Sequence, residues 1–412
     1  MVLAIILAFK AGRIKFNFLK TLSARSFEKM KKFFAFSIMS AIILSTCCGI
    51  MSNSVCYADV TDITSKSAIV MDYATHEVLF EKDSHEKMPV ASMVKMMTIL
   101  LTIEDIDSGD LALTDMVTTS EKASGMGGSQ VFIDPYVEYS VEDLLKSVII
   151  SSANDASVAL AEHISGSEEV FVKRMNKRAK ELGMYDTNYV NCTGLPAPEG
   201  YSSAYDCALV LSQVTSHDVY HKFSSIWMDE LKHPSGRKTG LVNTNRLVRY
   251  YNGCDGGKTG STNEAGCCLS ATAKRGDMRL ISVIVGAKDS KSRFNECSQL
   301  FNYGFANFEN VNLIDSSSPV STLAVTKGQT GNIEVYAQEN YSALVKKGSE
   351  NSYEVELKLP SSVKAPIKEG QIIGTAEIYK DGVLVKSVNL ISKVAVKKVG
   401  YFECVRLIGE KW

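Results

Sequence analysis

No two cysteines in this 412-residue chain are spaced as C-x-x-C, no histidine pair carries the glutamate of H-E-x-x-H, and no serine lies in G-x-S-x-G. The first two absences remove familiar zinc-ligand patterns. The third removes the strand-to-helix elbow that presents a serine to a histidine base. Seven cysteines follow residue 58, at positions 192, 207, 254, 267, 268, 297 and 404. An odd set without close pairs is no disulfide framework, so these are expected to be small buried hydrophobes. Basic charge is short where nucleic acid would need it. The formal net charge is −1, yet residues 1–58 hold eight Lys and Arg against the single acid Glu28, which leaves the body from Asp59 onward acidic. Such a body excludes binding to nucleic acid by counterion displacement. There is no internal repeat. The length supports two or three domains.

The basic start has the layout of an export signal. Met30-Lys31-Lys32 precedes an uncharged run from Phe33 to Ala58, and Cys56-Tyr57-Ala58 offers small residues for cleavage before Asp59. Residues 1–58 are therefore expected to be leader and signal peptide, with an uncleaved membrane anchor as the alternative. The destination is extracytoplasmic.

Beyond the signal, Ala68–Met71 and Val78–Phe80 read as paired strands, and Met93–Ile103 as a helix apolar all round and hence buried. Residues 140–185 have helical spacing. Cys267–Ala271 and Leu280–Val285 return to strand, joined at Arg275-Gly276-Asp277. Strands at both ends with helices between predict one α/β domain closed by its termini, placed at 59–312. The cluster Asp315-Ser316-Ser317-Ser318-Pro319 reads as a linker, and the alternation around Ile333, Tyr353 and Ala376, with a hairpin turn at Asp381-Gly382, predicts a small β domain over 313–398. The tail 399–412 has Phe402, Val405, Ile408 and Trp412 on one helical face, an amphipathic segment suited to a membrane surface.

Without a histidine base, a serine nucleophile is served by a lysine one helical turn away. Ser-x-x-Lys puts hydroxyl and amine on one face, and burial lowers the lysine's proton affinity until it is a workable base. The spacing occurs five times, at Ser26/Lys29, Ser84/Lys87, Ser92/Lys95, Ser235/Lys238 and Ser361/Lys364. Only Ser92 opens the buried apolar helix. Two further elements are expected of this chemistry. Ser-x-Asn occurs four times, at 152–154, 261–263, 349–351 and 387–389, and Ser152-Ala153-Asn154 is the copy in the helical part of the α/β domain. Lys-Thr-Gly occurs at 238–240 and 258–260; the second leads into the strand pair and is preferred, while the first is taken as a surface copy without a strand hairpin.

With these motifs in order, the chain resembles the low-molecular-mass penicillin-binding proteins, serine-type D-alanyl-D-alanine carboxypeptidases of the peptidoglycan-processing kind. Pro89–Lys95, Ser152–Ala156, Asn191–Leu195, Asn243–Asn245 and Asp255–Thr262 follow the family pattern, while His76 and Pro135-Tyr136 stand where a turn glycine is usual. The resemblance implies a transpeptidase-like α/β fold, an antiparallel sheet with helices and a helical subdomain, followed by a small β-sandwich. It implies that Ser92 attacks the D-Ala-D-Ala carbonyl with Lys95 as base. The backbone N–H groups of Ser92 and Ser261 would hold the oxyanion, and Ser152 would relay a proton. Asn154 would hold the donor peptide and Lys95. Lys258, Thr259, Gly260 and Thr262 would bind the terminal carboxylate side, with Arg293 in support or in a structural ion pair. No metal or cofactor is required, and β-lactams are the implied inhibitors. A class A β-lactamase lacks support, since there is no Glu-x-x-Leu-Asn loop. A transpeptidase or endopeptidase on the same scaffold, and a non-catalytic wall-binding protein, remain as alternatives.

Overall fold

The computed structural model describes residues 62–349 and 352–400; the expected signal segment, Cys404 and most of the amphipathic tail lie outside them. Five antiparallel strands form the central sheet: β1 (Ser67–Asp72), β2 (Val78–Lys82), β3 (Cys254–Thr262), β4 (Gly266–Arg275) and β5 (Met278–Ala287). Their order is β2-β1-β5-β4-β3, so the two ends of the domain meet where β1 pairs with β5. Both faces are covered. β1, β4 and β5 accordingly read as near-continuous apolar runs, with every residue of β1 buried.

Among the described residues, seven helices longer than four residues flank the sheet: α1 (Lys95–Ser108), α2 (Val141–Ser151), α3 (Asn154–Ser165), α4 (Glu168–Glu181), α5 (Ala204–Thr215), α6 (Asp218–Ser224) and α7 (Ser290–Asn307). On one face, Leu300 and Phe301 of α7 pack with Val70, Leu280 and Ile284. On the other, α1 runs through the middle of a large core, and all residues from Lys95 to Ile103 are buried. Side-chain caps set the helix starts, with Ser140, Ser167, Ser203 and Asp289 accepting from the first-turn amides of α2, α4, α5 and α7. None of the described helices is long and apolar enough to cross a membrane.

The C-terminal domain is all β. It has strands β6 (Phe308–Ile314), β7 (Pro319–Thr326), β8 (Asn332–Ala337), β9 (Tyr341–Lys346), β10 (Tyr353–Lys358), β11 (Ser362–Lys364), β12 (Ile372–Lys380) and β13 (Val383–Ser392). Six form a sheet in the order β10-β12-β13-β8-β7-β11, and β6 pairs with β9. Asp381 and Gly382 make the expected hairpin turn, both at positive φ. The boundary expected at 312/313 falls inside β6, which begins immediately after α7. The Asp315–Ser318 cluster is a turn within this domain rather than a linker: the Asp315 carboxylate accepts from the Ser317 amide and from the Ser317 and Ser318 hydroxyls.

A second departure concerns Lys238-Thr239-Gly240. These residues do lie on a strand hairpin, Met228–Lys232 with Lys238–Val242. It is short, its exposed positions mix charged residues with Met228 and Val242, and Lys238 pairs with Glu230 at 2.9 Å in solvent.

One carboxylate gathers several backbone amides of the loop from Gly125 to Val137. Asp155, fully buried, accepts from the backbone amides of Val131, Ile133 and Ala156 at 2.9–3.2 Å. Asp155→Ala strands buried amides and is expected to lower stability by about 2–4 kcal/mol, read as a lower denaturation midpoint in urea with an unchanged slope.

Candidate active site

Ser92 sits in a single 3-10 turn, Ala91–Val94, just ahead of α1 rather than inside it. The chain enters that turn through Ala91 in the left-handed region, at φ 48°. Lys95 begins the helix and is completely buried. Its Nζ donates to Ser92 Oγ at 2.9 Å and to the Thr193 carbonyl at 2.6 Å. Burial lowers the Lys95 pKa from its ordinary value to about 7, against an opposing pull from Asp155. A neutral amine within reach of a serine hydroxyl is a general base in position.

The Thr193 carbonyl is fixed by its own loop. Asn191 Oδ1 accepts from the amides of Thr193 and Gly194, and Thr98 of α1 donates to the Cys192 carbonyl at 2.8 Å. Gly194, at φ 77°, lies so close to the turn that a Cβ would stand 2.0 Å from the Ala91 carbonyl oxygen.

Strand β3 closes the site from the other side. Gly260 abuts the nucleophile's turn, and a Cβ there would lie 2.5 Å from the Val90 oxygen and 3.2 Å from the Ser92 amide. Lys258 is buried behind it and donates to the Thr259 carbonyl at 3.0 Å. Desolvation, with repulsion from Lys95 and Arg293, holds its pKa well below the usual lysine range. Arg293 reaches in from α7 and donates to the Gly260 carbonyl at 3.1 Å, while its Nε is buried without a partner. It makes no ion pair among the described residues.

Ser152 ends α2 in the left-handed conformation, φ 61°, which breaks the helical run and turns the residue toward the cleft. Ser92, Ser152, Thr259, Gly260, Ser261 and Arg293 all line one cleft of about 650 Å3. Asn154 lies beside it but does not bond Lys95. Its Nδ2 donates to the Gly127 carbonyl at 2.6 Å, its amide donates to the Ser129 carbonyl at 2.7 Å, and its Oδ1 is buried without a partner. Lys95 instead takes the Thr193 carbonyl, which the sequence motifs did not disclose.

Thr262 is also placed differently from expectation. Its Oγ1 accepts from the Ala265 amide, capping the β3–β4 turn, and it lines a separate, smaller cavity. The six described cysteines are all free, and five of them are buried. No cluster of three metal-ligating side chains occurs among the described residues.

Known proteins resemble this chain in sequence and in fold. The family model described as D-alanyl-D-alanine carboxypeptidase matches residues 54–289, and that of the penicillin-binding protein 5 C-terminal domain matches 308–398. The D-alanyl-D-alanine carboxypeptidase DacF of Bacillus subtilis is 42% identical over 349 residues, covering 84% of this chain and 90% of its own. Penicillin-binding protein 5 of Haemophilus influenzae superposes with a TM-score of 0.66 at 33% identity, over 82% of this chain and 98% of that one. Penicillin-binding protein D2 of Listeria monocytogenes, solved in its ampicillin-bound form, has a TM-score of 0.53 at 31% identity, over 58% and 97% of the two chains. On the family match and the identity to DacF together, this chain belongs to the D-alanyl-D-alanine carboxypeptidase family.

Proposed function

We propose that the protein is a serine carboxypeptidase that removes the terminal D-alanine from peptidoglycan stem peptides outside the cytoplasm. The observation that carries this reading is the buried Lys95 amine, 2.9 Å from Ser92 Oγ, facing a strand that bears a second buried lysine.

In the proposed reaction Ser92 Oγ attacks the carbonyl of the last peptide bond while its proton passes to Lys95 Nζ. The backbone amides of Ser92 and Ser261 hold the oxyanion. Collapse of the tetrahedral intermediate breaks the C–N bond, a proton passes through Ser152 to the leaving amine, and free D-alanine departs. Water then hydrolyses the ester. Lys258, Thr259 and Arg293 face the terminal carboxylate, and the cationic lining supports that role, since the cleft includes Arg246 and Arg293 and no acid. A β-lactam, entering as a substrate mimic, leaves a long-lived acyl group on Ser92. Export by residues 1–58 and attachment of the tail 399–412 to the membrane surface fit a wall substrate.

Incubation with a muropeptide ending in D-Ala-D-Ala, followed by mass spectrometry, tests the reading. Loss of one alanine is expected; a cross-linked product would instead indicate a transpeptidase, and an unchanged peptide a binding protein. Ser92→Ala is expected to abolish covalent labelling by a fluorescent penicillin, and persistent labelling would refute the nucleophile.

The acylation rate should follow the neutral fraction of Lys95. Below pH 7 the ammonium carries the proton and cannot accept another, so the rate should rise with pH and level off above a midpoint near 7. A rate flat from pH 5 to 9 would contradict Lys95 as base. Lys258→Ala should raise KM at least about tenfold for peptides with a free terminal carboxylate, with little effect on their amides; equal losses on both would place Lys258 elsewhere in the mechanism.

A further inference from the structure

The main cleft ends on cations, yet the strand that forms its floor continues to an acid. In β3, Thr259, Gly260 and Ser261 line the cation-rich cleft, and Gly260 abuts the Ser92 amide. Thr262 and then Glu264, in the β3–β4 turn, line a second cavity of about 50 Å3 together with Ala91, Val94 and Leu195. Ala91 and Val94 flank the nucleophile in its turn. The two cavities therefore lie on either side of Ser92, strung along one strand. Glu264 is exposed and makes no hydrogen bond or ion pair among the described residues.

We infer that Glu264 recognises the side-chain amine of the diamino residue that precedes the two D-alanines, and so selects stems whose amine is free. This rests on the carboxypeptidase reading above, which fixes the direction of the substrate. With the terminal carboxylate at Lys258 and Thr259 and the scissile carbonyl at Ser92, the peptide runs antiparallel to β3. One residue advances about 3.3 Å along a strand, so the diamino residue falls beside Thr262. Its flexible stem and terminal ammonium extend past the small cavity, whose lining mixes polar and apolar groups, to the carboxylate at its rim. The cavity is too small for the stem to coil into, which directs the ammonium outward to Glu264. Acylating that amine, as a cross-link does, removes the charge and adds bulk at the same place. The enzyme would then trim uncross-linked stems in preference to cross-linked ones.

The test compares D-alanine release from Nα-acetyl-L-Lys-D-Ala-D-Ala and from its Nα,Nε-diacetyl counterpart, each as kcat/KM. The wild-type protein should favour the free amine about three- to fivefold, the range open to a solvent-exposed ion pair. The preference should shrink as salt is raised. In Glu264→Gln the ratio should fall to about one, and in Glu264→Lys it should invert. A wild-type ratio of one, or a preference undiminished in Glu264→Gln, overturns the assignment while leaving the carboxypeptidase reading in place. Release from neither peptide overturns both.

Discussion

The burial of one amine organises this structure. Lys95 stands at the start of a helix whose next eight residues are also buried, and water that would stabilise its ammonium is excluded. The amine's pKa is consequently lowered to about 7, which leaves a substantial neutral fraction for the proposed proton transfer from Ser92. Burial of that extent requires cover on all sides, which explains why α1 lies in the middle of the domain and not on a face of it. It also explains the glycines. Gly194 and Gly260 approach the Ser92 turn from opposite sides at distances that no Cβ would allow, and together they seal the amine from solvent.

A second buried lysine would seem to undermine the site, but the two are coupled to useful effect. Burial first, and then the charges of Lys95 and Arg293, disfavour the charged form of Lys258. An arriving carboxylate reverses this for Lys258, because a partnered ammonium in a desolvated site is favoured. The charge thus fixed on Lys258 acts on Lys95 in the direction that keeps it neutral. On the proposed reading, carboxylate binding at Lys258 raises the neutral fraction of Lys95 at the cost of some basicity, so the group that identifies the substrate also keeps the amine unprotonated.

Much of this was legible in the sequence because the signals were of kinds that local chemistry dictates. An apolar run containing a single lysine forced the choice of Ser92 and Lys95 among five equal spacings. The strand pair following Gly260 did the same for Lys258. What was not legible depended on chain segments distant in sequence. Thr193 bonds Lys95 from 98 residues away, and nothing in its own neighbourhood announces this. Asn154 was expected at Lys95, yet its amide is taken by the Gly127 carbonyl, because α3 begins where the loop from Gly125 folds back. The hairpin at 228–242 escaped notice because its charged residues point to solvent and mask the alternation. An Asp-Ser cluster marks a turn equally well between domains and within one, and here it caps a turn beside β6.

Two of the ten non-glycine residues at positive φ among the described residues belong to the site. Ala91 and Ser152 both carry a β-carbon at positive φ, at 48° and 61°, where an unbranched non-glycine residue sits at a cost of about 1–3 kcal/mol. Glycine would remove the strain at each, but the two positions answer different needs. At 152 the left-handed turn brings the side chain out of α2 to the cleft wall, where the proposed mechanism uses its hydroxyl as a proton relay. At 91 the methyl group is part of the wall: it lies 3.1 Å from where a Gly260 Cβ would stand, filling the gap between nucleophile and strand. The strain is sustained because helices on one side and the sheet on the other hold both turns in place, so the rigidity that stabilises the core is the same rigidity that aligns the reacting groups.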